Sequence, residues 1–147
     1  MWKAFRSLFA KAAESPNAKG VAIVALVAGQ RDRELLERLA GEQHWAIHFR
    51  DNCGEAWDLL RERGIPIAIC DRDLPGTEWR DVLHLLGSSP GHFVYTILMS
   101  QVADDYLWNE VIRRGGYDLL AKPLREQAVL RAVRLGWSYC NSSSVNK

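Results

Sequence analysis

Three apolar runs in this chain stop at side chains of different charge. Asp71 directly follows Ile65–Cys70, with a second acid at Asp73; Ser100 closes Phe93–Ser100; Lys122 follows Tyr117–Ala121. A carboxylate, a hydroxyl and an ammonium together make a polar site with an anion, a neutral donor–acceptor and a fixed cation. Each also has an ordinary structural reading. Lys122 before Pro123 ends a strand, Ser100 caps the turn after its strand, and Asp71 is an acid opening a loop. All three structural readings holding at once, at these intervals, is the less economical explanation.

The elements that would position them are legible in the apolar pattern. Ile65–Cys70 has no polar alternation, as expected of a parallel strand covered on both faces, and Leu74-Pro75-Gly76 turns the chain after it. Val21–Ala28 is a similar buried run, far too short to span a membrane. Trp45–Phe49 alternates weakly, and Phe93–Ser100 and Tyr117–Ala121 complete five strands. Between them, helical spacing predicts helices over Arg31–Ala40, Gly54–Gly64, Trp79–Leu86, Asp104–Arg114 and Glu126–Trp137. Five strands alternating with five helices imply an α/β domain with a doubly wound parallel sheet and helices on both faces, because parallel neighbours need right-handed crossovers. The carboxyl ends of the strands then converge on one edge, where such sheets bind ligands.

Three parts follow in sequence: an amphipathic helix and linker over residues 1–20, the α/β domain over 21–140, and a polar tail over 141–147 expected to be disordered. The first helix places Trp2, Phe5, Leu8 and Phe9 at helical spacing and suits packing on its own domain or a second copy better than stable membrane insertion. A formal charge of +1, with basic and acidic residues interleaved, argues against a nucleic-acid surface. Three cysteines without CxxC spacing and four histidines without ligand spacing argue against disulfides and zinc, and favour reduced thiols in a cytoplasmic protein. No GxSxG, P-loop or GxGxxG follows a strand, so neither a hydrolase nor a nucleotide-binding enzyme has a motif to stand on.

Asp71 with Leu74-Pro75-Gly76, Ser100 at the end of the fourth strand, and Lys122-Pro123 after the fifth resemble the receiver domain of bacterial two-component response regulators, over about residues 21–139. The resemblance implies a flavodoxin-like sheet of strand order 2-1-3-4-5. It implies that Asp71 is the phospho-acceptor, that Ser100 and Lys122 contact the phosphoryl group, and that Asp71 and the Asp73 backbone carbonyl ligate Mg²⁺. It further implies a non-enzymatic phosphoprotein that works in phosphorelay signal transduction with a histidine kinase or another signalling protein; a homodimer remains an option through the N-terminal helix.

The chain departs from that pattern in three places. Receivers carry a pair of acids after the first strand to hold Mg²⁺, and here Val27, Ala28, Gly29 and Gln30 stand there, which puts the ion in doubt. Asp32 lies a few residues too late and is expected to cap or open the first helix. Leu119 occupies the position of the aromatic switch, with Tyr117 two residues earlier on what strand alternation makes the same face. Trp79 replaces a small residue and is expected, with Pro75 and Pro123, to shape the pocket or to anchor its loop. Two functions follow: a stand-alone phosphorylatable receiver, or a receiver-like interaction module that works without phosphate. In either case the chain ends soon after the last helix, so output is expected through protein contacts on the face around Tyr106, Trp108 and Tyr117 or through the N-terminal helix.

Overall fold

The computed structural model describes residues 20–88 and 91–145. The expected helix over residues 1–13, and all of its linker except Gly20, lie outside them. Strands β1 (Ala22–Leu26), β2 (Ala46–Phe49), β3 (Ile67–Asp71), β4 (Tyr95–Ser100) and β5 (Asp118–Ala121) alternate with helices α1 (Gln30–Gln43), α2 (Cys53–Arg63), α3 (Trp79–Gly87), α4 (Asp105–Arg113) and α5 (Glu126–Val145). All pairings are parallel and the order is β2-β1-β3-β4-β5. Every residue of β3, at the centre, is buried, which is why its sequence is a continuous apolar run ending in one acid.

Alternation along the strands divides the core in two. Val24, Leu26, Ala68, Cys70, Leu98 and Leu119 face α2, α3 and α4, while Ile23, Ala25, Ile69, Ile97, Met99 and Leu120 face α1 and α5. Local signals set several helix ends. Asn52 and Asp104 accept hydrogen bonds from the N–H groups of Glu55 and Leu107, as N-cap side chains do, and Gly64 closes α2 in the left-handed conformation at φ 63°.

Two helices outrun the expectation from sequence. α1 continues past Gly41 and stops at His44, whose positive φ of 61° closes the helix with its N–H on the Ala40 carbonyl. α5 continues to Val145, so the segment expected to be a disordered tail from Asn141 begins as helix. Gly136 does not break α5, because it serves packing: an ideal Cβ there would lie 2.7 Å from Tyr95 Cδ1. One turn later Cys140 is buried, with its thiol directed at the Pro66 carbonyl at 3.6 Å, so the polar end of the helix extends a turn already held against the sheet. Among the described residues no helix is long and apolar enough to cross a membrane.

Candidate functional site

Strand register brings the polar residues to one edge. Cys70 pairs with Leu26, Asp71 with Met99, and Ser100 with Ala121. Two loop hydrogen bonds, Arg72 N–H to the Met99 carbonyl at 2.9 Å and Lys122 N–H to the Ser100 carbonyl at 2.9 Å, carry the pairing one residue beyond the strands. The chain segments leaving β1, β3 and β5 therefore meet around an open pocket of ≈ 620 Å³, lined by Ala28, Gly29, Arg31, Asp32, Asp71, Asp73, Gln101, Lys122 and Pro123.

The Asp71 carboxylate is the fixed point of this pocket. Its side chain is 0% exposed, and both oxygens are engaged: Oδ1 accepts from Asp73 N–H at 3.1 Å, and Oδ2 accepts from Lys122 Nζ at 2.6 Å and Ala28 N–H at 3.3 Å. A buried carboxylate needs this, since an ion removed from water without partners is costly. Lys122 has a second partner, Asp32 Oδ2, at 3.0 Å. Partial burial pulls the ammonium pKa down, but the hydrogen bonds and negative charges of Asp71 and Asp32 outweigh it, leaving Lys122 above its ordinary value of 10.5. Cys70, one residue before Asp71, is no nucleophile at neutral pH, because burial, reinforced by the charges of Asp71 and Cys53, pushes its thiol up to about 12.

Asp32 is the residue whose place sequence reasoning missed. It lies in the first turn of α1, as an acid near a helix start should, but it does not cap the helix. Gly29 is the N-cap and no side chain bonds there. The carboxylate turns to Lys122 instead. Its place in the first turn of the helix after β1 was visible, but the direction in which it points was not.

Other expected site residues separate. Pro123 lines the pocket, whereas Pro75 and Trp79 do not. Trp79 is 4% exposed and belongs to the same core cluster as Leu74, Val82 and Leu83, because it begins the apolar stripe of α3. Ser100 is buried just behind the lining, and its Oγ accepts from Val102 N–H at 3.1 Å. Leu119 is buried toward α4, but Tyr117 is not on its face. Strand β5 starts only at Asp118, and Tyr117 stacks on Tyr95 with ring centroids 5.3 Å apart. Of the aromatics expected on an interaction face, Tyr106 is 73% exposed, Trp108 is core, and Tyr117 is half-buried among Phe93, Tyr95 and Tyr139.

Solved structures of the same architecture are numerous. The signal receiver domain of an HD domain-containing protein from Pseudomonas fluorescens Pf-5 is superimposable with a TM-score of 0.72, at 23% identity over 82% of this chain and 97% of that one. The chain has the receiver-domain fold. Two further receivers share it. One is the receiver domain of Ssk1 from Saccharomyces cerevisiae, solved with the histidine phosphotransfer protein Ypd1 (TM-score 0.71, 14% identity, 82% of this chain and 91% of that one). The other is the receiver domain of the sensor histidine kinase PA1611 from Pseudomonas aeruginosa PAO1, which has a magnesium ion in its active-site cleft (TM-score 0.67, 16% identity, 78% and 95%). Among curated proteins, the 3',5'-cyclic-nucleotide phosphodiesterase regA of Dictyostelium discoideum is 28% identical over 114 residues. Those residues are 74% of this chain, and the chain spans 14% of that protein's length. No protein-family model matches the chain, in keeping with a receiver fold whose sequence has diverged.

Proposed function

We propose that this chain is a receiver module of phosphorelay signal transduction, in which Asp71 accepts a phosphoryl group from a phosphohistidine on a kinase or phosphotransfer protein. The observation that carries this reading is the Lys122 ammonium 2.6 Å from the buried Asp71 carboxylate, both in the lining of the pocket. A carboxylate oxygen of Asp71 would bond to phosphorus as the donor P–N bond breaks, the electron pair leaving with the imidazole and the product being an aspartyl phosphate. Such transfer depends on positioning and charge neutralisation. In this reading Lys122 would hold a phosphoryl oxygen, and Ser100 would turn its hydroxyl toward the modified group as its loop moves.

The residues present do not fit Mg²⁺. Val27 and Ala28 offer no carboxylate beside Asp71, and among the described residues no group of three acids, histidines or cysteines could hold a metal. The same substitution favours a second reading, a receiver-like module that binds its partner without phosphate, through a surface that includes Tyr106.

Intact-mass spectrometry after incubation with acetyl phosphate, with and without Mg²⁺, tests the first reading. The expected result is one phosphate adduct on the parent chain and none on Asp71→Asn. No adduct under conditions that label an ordinary receiver would overturn it and leave the interaction module.

A further inference from the structure

Lys122 is the single lysine between residues 20 and 145, a stretch that contains thirteen arginines. An arginine fork is broad and planar, whereas an ammonium is a compact point charge with three donors. The compact form is what this place requires, since Lys122 Nζ stands between two carboxylate oxygens, 2.6 Å from Asp71 and 3.0 Å from Asp32, with its side chain only 13% exposed. A second feature points the same way. Gly29 has φ −97°, open to any residue, so conformational freedom does not explain the glycine. Space does: an ideal Cβ there would lie 3.3 Å from Asp32 Oδ2, so its absence leaves the carboxylate room to fold back over the start of α1 toward Lys122.

From this geometry we infer that the Asp71 pocket works without a divalent cation, Lys122 being its resident positive charge, and that Asp32 is the positioning residue that holds Lys122 there. The inference rests on reading the Asp71 pocket as a receiver-type site. The pocket then carries its countercharge covalently, on a side chain held between two carboxylates, and has no use for a dissociable ion. Ala28 stands where a metal-binding acid would be needed, with its own N–H bonded to Asp71.

Two measurements on the full chain test this without any phosphoryl transfer, so their failure is distinct from failure of the phospho-acceptor reading. Free Mn²⁺, followed by its electron paramagnetic resonance signal at millimolar concentration, should remain unbound by the parent chain and should bind one per chain in Ala28→Asp. Stoichiometric binding by the parent, lost in Asp32→Asn, would overturn the inference by making Asp32 a metal ligand. Amine acetylation mapped by mass spectrometry should find Lys122 protected in the parent, several-fold more reactive in Asp32→Asn, and protected again in Asp32→Glu. Equal Lys122 reactivity in the parent and Asp32→Asn, with both chains folded by circular dichroism, would remove Asp32 from that role.

Discussion

Replacing Lys122 by methionine keeps the aliphatic stem and deletes the charge. The Asp71 side chain, with no exposed surface, would then retain only the N–H groups of Ala28 and Asp73 at 3.3 and 3.1 Å as partners. Removing one partner of a buried ion pair costs about 3–5 kcal/mol. Because two hydrogen bonds remain and Lys122 is not wholly enclosed, the expected loss is at the low end, about 3 kcal/mol in urea unfolding at pH 7. For a domain of this length that is a fall of roughly 10 °C in Tm. Asp71→Asn should cost less, since Lys122 keeps Asp32 at 3.0 Å. In the Asp71→Asn background, Lys122→Met strands only the partly exposed Asp32 carboxylate and not the fully buried one, so the double-mutant cycle should give a coupling of about 2 kcal/mol. Additive losses, or a Lys122→Met variant within about 0.5 kcal/mol of the parent, would refute the view that this pair sustains the buried carboxylate.

Gly136→Ala should destabilise the domain despite the better helix propensity of alanine, because the new methyl meets Tyr95 Cδ1 at 2.7 Å; overpacking of about 1–3 kcal/mol outweighs a propensity gain of about 1 kcal/mol, and a more stable variant in urea unfolding would show that Tyr95 yields freely. Stability should also fall in alkali. Cys70 is pushed up to about 12 and Cys140 to about 11, chiefly by burial, from an ordinary value of 9.0. Both pKa values are raised on folding, so the contribution of the protonated thiols is complete below pH 9 and is lost as pH rises toward 11 and 12. The slope is about 1.4 kcal/mol per pH unit for each thiol. Urea unfolding between pH 8 and 11 should find a flatter decline when both are replaced by alanine, and an unchanged slope would exclude them as its source.

The order of strands and helices was legible in the sequence because buried parallel strands need unbroken apolar runs, and Val21–Ala28, Ile65–Cys70 and Phe93–Ser100 have no other plausible place. So was the convergence of Asp71 and Lys122, since parallel strands deliver their carboxyl ends to one edge whatever the loops do. Helix ends were less legible. Gly41 looks like a stop in a one-dimensional pattern, yet it lies inside a helix that His44 closes later, and α5 runs on to Val145 past the end expected at Trp137. Trp79 and Tyr117 show the same limit at the level of side chains: their positions followed from spacing, but the core under α3 drew one away from the pocket and the late start of β5 turned the other to the opposite face.

The sequence by itself determined the architecture, the acid at the end of the central strand and the absence of any acid at Val27, Ala28, Gly29 and Gln30, because these depend on residue type and period alone. Only the tertiary structure decided that Asp32 reaches across to Lys122, that Lys122 is held between two carboxylates, and that Gly29 leaves the room for it. Those are relations between the first turn of α1 and the loop after β5, ninety residues apart in sequence, and no local pattern encodes the direction in which a side chain crosses that gap.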